Sequence, residues 1–539
     1  MTPAQSSAVA IELRGVPGRS AESRASVLAR RGPSLASFLA LVGFGLVPFA
    51  VILIRSHGGV LTGATGIFPA DQLQYLAWVR DVGGHLLARN NFDVARSGRV
   101  FVDPIFGLSG GLVRLGLSPA WAYDLWLPVA AAALLSCYRA YVRRLLPGPG
   151  ARRAALVLAL FAATPVAPVL AWIVGLSPDH YSQLALAVAD STPALQLWGY
   201  FPIAIALALM CVSLLAIERA IDPARRARRS ARAEIGVAAA AAAFAGWIHP
   251  WQGATLLAIF FGLAATERTR RAVIACAAAG LAICIPLAYY YALPHLDAAW
   301  AAARVQNDLG GYFGGWVAAA FVGPLAVPAL IGLWRGDRGV QERILVLWPL
   351  AALGLYWLNP PYAIHTLEGI TLPLAVLAVR GCARLHVRGA VAVLLVSAAT
   401  LPGLAFAGYL LYKTTNERRE PYVMASDDAR ALRAVADSPV RGAVLAPPPL
   451  AASVPALTAR ATWLGHPSWT PGLGLRETEA RRFFGGRMSA AVARRFVRNV
   501  GAPLAVAPCG SSPAIERLLG PRLGSSKRIG CARVLTLRL

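Results

Sequence analysis

Asp71 stands in the stretch Phe68-Pro69-Ala70-Asp71-Gln72-Leu73-Gln74-Tyr75-Leu76-Ala77-Trp78-Val79-Arg80-Asp81, directly after the first long apolar segment. A carboxylate this close to a membrane surface can take the proton of a hydroxyl as a general base. It can equally cap a helix: Asp71 with Gln74 three residues on has capping-box spacing, and an acid there satisfies free N–H groups and the helix dipole. Further groups lie downstream, namely Asp81, Asp93, Asp103, Asp179, His180, Asp190, His249, Arg304, Asp308, His365 and Glu368. They are interleaved with Trp78, Tyr181, Trp198, Tyr200, Trp251 and Tyr289 to Tyr291. Acids, bases and aromatic faces sharing one aqueous space suit a sugar, whose C–H surfaces pack on rings while a carboxylate works on a hydroxyl. Interfacial aromatic belts and solvated loops draw on the same residue types.

These residues sit in a chain that must hide apolar surface in lipid. Its 539 residues are 57% hydrophobic and 14% charged, with a mean hydropathy of +0.55, which excludes an ordinary soluble globule. The composition predicts a mainly α, polytopic transmembrane helical bundle. The formal charge of +26 resembles a nucleic-acid signature. However, the basic residues fall in short runs between apolar segments and in the C-terminal tail, which is the positive-inside pattern plus a basic tail, so no nucleic-acid partner is expected. Residues 1–34 read as a disordered cytoplasmic leader, and Leu35–Ile54 as an uncleaved signal anchor.

The helix over Asp71 is predicted from Leu73, Leu76, Val79, Val82 and Leu86, which recur at helical spacing and suggest an amphipathic element lying in the interface. Further apolar segments run roughly Trp121–Tyr141, Ala154–Val174, Leu195–Ile217, Ile235–Ile248, Trp251–Ala265, Ala272–Leu293, Tyr312–Trp334, Ile344–Leu358, Ala363–Val379 and Ala390–Tyr412. Arginine clusters at 143–153, 225–232 and 380–388 mark cytoplasmic loops. The opposite loops, with Asp71 and with Asp179 and His180, are then outside. As one straight helix, Ile235–Ala265 would be roughly 45 Å long against a hydrocarbon core of about 30 Å, and it has arginines on both flanks. Two short helices turning at His249-Pro250 resolve both problems, because Pro250 removes an N–H and disfavours helix at His249. A turn at membrane depth is tolerated beside a water-filled cavity, which His249 and Trp251 would line.

Counted this way the chain has about 11 membrane segments, which places the tail outside. The expected organisation is a leader (1–34), a transmembrane domain (35–412) with a long first outer loop (55–120), and a soluble extracytoplasmic α/β domain (413–539). Helices are predicted near Asp427–Ala436, Glu477–Phe484 and Ser489–Val500, with strands at Gly442–Ala446, Leu504–Ala507 and Ala532–Leu539. Of seven cysteines only Cys509 and Cys531 lie in the polar tail, and an oxidising compartment predicts their disulfide; two free buried thiols are the alternative. No GxGxxG, P-loop, HExxH or CxxC pattern stands in a supporting context, so neither nucleotide nor zinc chemistry is suggested.

The signal anchor, the acidic interfacial helix, the further segments and the outer tail together resemble the GT-C superfamily of polyprenyl-phosphate-sugar glycosyltransferases. Pro69-Ala70-Asp71-Gln72-Leu73-Gln74-Tyr75-Leu76 is similar to that superfamily's acidic motif followed by an aromatic. Leu464-Gly465-His466-Pro467-Ser468-Trp469-Thr470-Pro471, then Arg481-Arg482-Phe483-Phe484-Gly485-Gly486 and Gly501–Val506, are similar to soluble tails of bacterial members. The resemblance implies a hexosyl- or pentosyltransferase of the bacterial inner membrane. It would carry out an inverting transfer from a polyprenyl-phosphate sugar to an acceptor hydroxyl on a glycan, lipid or protein, with Asp71 as the base. Some relatives carry paired acids at this point; here Gln72 follows Asp71, no DxD is present, and neither a divalent metal nor another cofactor is expected. Gln72, Tyr75, Arg80, Asp179, His180, His249, Trp251, Arg304 and His365 are the expected substrate-binding residues, with Arg80, Arg99, Arg304 and His365 the cations available to a phosphate. Rival readings are a transporter or flippase of a lipid-linked sugar, against which the lack of an internal repeat counts, and an envelope scaffold whose basic tail binds an anionic polymer.

Overall fold

The computed structural model describes residues 34–95, 97–163, 185, 187–222, 228–307, 315–333, 339–358, 360–387, 389–417 and 421–539. In chain order the first helices are α1 (Leu35–Arg55), α2 (Pro69–Gly84), α3 (Pro104–Arg114), α4 (Pro119–Asp124), α5 (Trp126–Leu145) and α6 (Pro149–Phe161). There follow α7 (Phe201–Ile221), α8 (Arg228–Ile248), α9 (Pro250–Glu267), α10 (Arg270–Leu296), α11 (Ala298–Gln306), α12 (Gly315–Leu333), α13 (Val340–Trp357), α14 (Thr371–Arg384) and α15 (Gly389–Glu417). The tail adds α16 (Ser426–Ala436), α17 (Leu450–Thr458), α18 (Leu473–Phe484), α19 (Ala490–Val500) and α20 (Ile515–Leu519).

The helices form a bundle around α7, which packs against α5, α8 and α10 and is buried on nearly every side. At the edge, α1 buries only the stripe Leu41, Gly45, Pro48 and Ile52, while Leu35, Leu39, Leu53 and Ile54 stay exposed. An apolar helix that leaves most of its side chains uncovered by protein is one covered by lipid. Among the described residues, six helical stretches are long and apolar enough to cross a membrane: Leu35–Arg55, Pro119–Leu145, Phe201–Ile221, Ala231–Ile248, Arg270–Leu296 and Gly389–Asn416. The chain is a membrane protein. Fewer helices qualify than the eleven segments expected: α14 is only 14 residues, and residues 164–184 are outside the described set.

Two breaks shape the site. The first falls at His249, which is extended (φ −146°, ψ 98°), with Pro250 opening α9 at a position where its missing N–H costs nothing. The two helices are 21 and 18 residues, longer than the short pieces expected. The second was not foreseen. The stretch read as one segment over Ala363–Val379 divides into a 3-10 turn, Ala363–Leu367, and α14. Between them Gly369 takes φ +75°, a conformation that other residues rarely adopt.

Helix α2 also departs from expectation. It buries Gln72, Leu73, Gln74, Leu76, Ala77, Trp78, Val79 and Val82, and it packs under α3 and the tail helix α17, so it lies inside protein rather than along a membrane surface, with Asp71, Tyr75, Arg80 and Asp81 half-buried. Leu86 lies beyond its end and is exposed. The tail has its own core, in which β3 (Val444–Leu445) pairs parallel with β4 (Leu504–Ala507), followed by antiparallel β6 (Ala532–Leu537) and β5 (Leu523–Ile529). Cys509 and Cys531 form a disulfide. The tail is stitched to the first loop, where β1 (Val60–Leu61) pairs with β2 (Val423–Met424) and the Tyr422 hydroxyl donates to the Gly66 carbonyl.

Candidate active site

Asp71 lies in the first turn of α2, but its carboxylate does not cap that helix. Phe68 holds the cap position without a side-chain bond, and Pro69 opens the helix. The carboxylate turns instead into a cavity of about 2210 Å³, whose wall includes Tyr75, Asp190, Tyr200, His249, Trp251, Arg304, His365 and His466. Two groups hold it. The Tyr200 hydroxyl donates to Oδ2 at 2.5 Å, and His466 Nε2 lies 3.0 Å from Oδ1.

The tautomer of His466 follows from its other nitrogen. Nδ1 accepts the Ser468 backbone N–H at 3.0 Å, so it carries no proton, and the ring is a neutral donor through Nε2–H. The loop is locked: the His466 N–H donates to Thr470 Oγ1, Thr470 donates to the Phe92 carbonyl, and Asn90 donates to the Trp469 carbonyl. The His466 side chain is 1% exposed, while that of Asp71 is 34% exposed, toward the cavity. Burial pushes the Asp71 carboxyl up, but the hydrogen bond from His466, the Tyr200 hydroxyl and the charge of His365 outweigh it and leave it below the usual value. The result is an ionised, oriented carboxylate open to whatever occupies the cavity. Each oxygen keeps a lone pair beyond its one partner.

The second wall is built at the two breaks. His365 Nδ1 lies 2.6 Å from Glu368 Oε1, and Gln252 Nε2 donates to Glu368 Oε2 at 3.0 Å and to the His365 carbonyl at 3.2 Å. Burial lowers the His365 imidazole, but the adjacent Glu368, then Asp190 and Asp71, push it up to about 9. Asp190, 4.0 Å from His365, is raised to about 7, chiefly by burial. His249 Nδ1 is 3.4 Å from Glu368 Oε2 and has no hydrogen-bond partner. The ligand atoms of His249, His365 and Glu368 lie within 4.8 Å of one another, close enough to hold a metal ion. Trp251 stacks near both imidazoles, 5.0 Å from His249 and 4.7 Å from His365. Arg304 also lines the cavity, exposed and with no side-chain partner among the described residues.

The structure therefore brings together Asp71, Tyr75, His249, Trp251, Arg304 and His365. It does not bring Gln72 into the cavity: its Oε1 accepts the N–H groups of Thr65 and Gly66, holding the loop that leads into α2. Arg80 is spent on the Ala456 carbonyl and Arg99 on Asp81. Asp179 and His180 lie outside the described residues. His466 was not foreseen in the site. It stands in the stretch Leu464–Pro471 that resembles soluble tails of bacterial GT-C members, but nothing in the sequence ties it to Asp71, 395 residues away.

No family model matches this sequence, and no curated protein matches it. Solved structures do. The oligosaccharyltransferase of Archaeoglobus fulgidus is 13% identical and superposes with a TM-score of 0.50 over 91% of this chain and 71% of its own. The arabinofuranosyltransferase AftD from Mycobacteria is 14% identical with a TM-score of 0.50 over 94% of this chain, which spans only 40% of AftD. At such identities the likeness is one of fold.

Proposed function

We propose that this chain, which has the GT-C fold of membrane glycosyltransferases, transfers a sugar from a polyprenyl-phosphate donor to an acceptor hydroxyl, with inversion, at the outer face of a bacterial inner membrane. The observation that carries the reading is the Asp71 carboxylate, ionised, oriented by His466 and Tyr200, and open to a large cavity rimmed by aromatics. In this account Asp71 takes the proton of the acceptor hydroxyl as its oxygen attacks the anomeric carbon. The bond from that carbon to the phosphate oxygen breaks, and polyprenyl phosphate leaves with the electron pair. Arg304 offers its guanidinium to the phosphate, where negative charge grows. Tyr75 and Trp251 supply ring faces for the sugar. His466 does not touch substrate; it positions the base. The acceptor is a glycan, a lipid or a protein, and the sugar transferred is a hexosyl or a pentosyl group.

The test uses purified full-length protein with a panel of polyprenyl-phosphate sugars, following release of polyprenyl phosphate and the anomeric configuration of the product. Turnover with inversion is expected. Retention would remove Asp71 as the base, and no turnover with any donor would favour movement of a lipid-linked sugar instead.

A further inference from the structure

We propose that His249, His365 and Glu368 bind a divalent transition-metal ion of the zinc type in the cavity wall facing Asp71. The proposal goes beyond the transfer reaction and stands whether or not Asp71 is its base. The absence of a DxD pair led the sequence away from a metal, and although His365 and Glu368 are three residues apart, nothing in the sequence joins them to His249. They meet because the chain breaks twice, at Pro250 and at Gly369, and each break delivers side chains to the same point.

Geometry and satisfaction both support a ligand there. Donors at about 2.1 Å from a tetrahedral ion lie about 3.4 Å from each other. His249 Nδ1 and Glu368 Oε2 are 3.4 Å apart, and all three ligand atoms fall within 4.8 Å. His249 Nδ1 is buried, with its side chain 8% exposed, and makes no hydrogen bond although it points at the carboxylate. A buried polar atom without a partner is costly, and an ion between the three groups would satisfy it. His365 Nδ1 and Glu368 Oε1, 2.6 Å apart, are hydrogen-bonded to each other, and an ion would take the place of that bond as the pair opens. Gln252 already performs the outer-shell task, holding Glu368 Oε2 and the His365 carbonyl.

The donor set selects the ion. Two imidazoles and one carboxylate suit zinc and its neighbours, whereas magnesium and calcium want more oxygens. Three protein ligands leave a coordination position open, and His249 and His365 both line the cavity, so that position faces it. A phosphate or hydroxyl oxygen of a substrate is what it would accept.

The experiment starts with full-length protein purified in detergent without chelator and without added metal. Bound metals are measured by mass spectrometry, and the stripped protein is then titrated with cobalt(II) while its visible spectrum is read. About one zinc per chain is expected, with cobalt bands of a four-coordinate site. The double substitution His249→Ala/His365→Ala should lower bound zinc at least tenfold, and Gln252→Ala should weaken cobalt binding roughly tenfold. Glu368→Gln, which keeps shape and volume, should lose the metal while melting like the stripped wild type, which covers the case that the alanine variants fail to fold. Asp71→Asn should keep the ion, so that failure of this site and failure of the proposed base are told apart. Wild-type protein with no more zinc than the double variant would overturn the proposal, as would loss of the ion from Asp71→Asn.

Discussion

The two walls of the cavity each pair one carboxylate with one imidazole, yet they leave the pair in opposite states. At Asp71 the histidine is held neutral because Ser468 N–H occupies Nδ1, and the acid stays partly exposed to the cavity. At Glu368 the carboxylate is fully buried, and the adjacent His365, hydrogen-bonded to it, is raised to about 9. A carboxylate and an imidazole thus leave an open acid in one place and make a closed pair in the other. What differs is the third partner: a backbone N–H aimed at the ring in the first case, an amide and a second imidazole around the carboxylate in the second.

Breaking this contrast is possible from either side. The largest effect short of removing Asp71 itself is expected from His466→Ala, which takes away the donor to Oδ1. Turnover should fall on the order of 10²-fold. The pH profile should move as well: His466 holds the Asp71 carboxyl below its usual value, so without it the acid limb of activity shifts to higher pH. His466→Gln, which retains an N–H donor, should restore most of the rate. A fall in rate with an unmoved acid limb would leave His466 a merely structural role. Next in size is Arg304→Ala, expected to cost roughly 10²-fold in kcat with a smaller change in KM, as suits a cation that meets charge developing on a leaving phosphate. An equal loss with a neutral-headed analogue would exclude that role.

Smaller effects sharpen the division between site and scaffold. Gln72→Ala leaves the N–H groups of Thr65 and Gly66 without their acceptor and should cost about 1–3 kcal/mol of stability, read as a lower melting temperature, while kcat of the folded protein holds. Arg80→Ala should cost about 1 kcal/mol through the lost bond to Ala456 and leave the chemistry alone. A specific loss of kcat in either variant would return that residue to the substrate.

What the sequence disclosed follows the same division. The Pro250 break was legible because proline, membrane thickness and flanking arginines all constrain one short stretch, and Asp71 was legible because an acid beside an apolar segment is costly without a purpose. The fate of that acid was not. Capping-box spacing suggested a helix terminus, but the carboxylate is claimed by a tyrosine and a histidine from distant parts of the chain. Gln72 and Arg80 looked like site residues because they adjoin Asp71, yet on a helix neighbours in sequence point in different directions, and these two serve the loop and α17. Glu368 stood within a run of apolar residues that reads as a single segment, but the run breaks beside Gly369, and Glu368 is buried behind the cavity wall against His365 and Gln252. Helix α17, with Pro455 inside it, gave no helical signal at all, although it forms the lid over α2.

The central claim is that Asp71 takes the acceptor proton. Its most direct test is the rate of polyprenyl-phosphate release by Asp71→Asn against wild type at saturating donor and acceptor, with folding matched by melting temperature and donor binding measured separately. The account predicts a fall of roughly 10³-fold with donor affinity little changed. Turnover at the wild-type rate would contradict it.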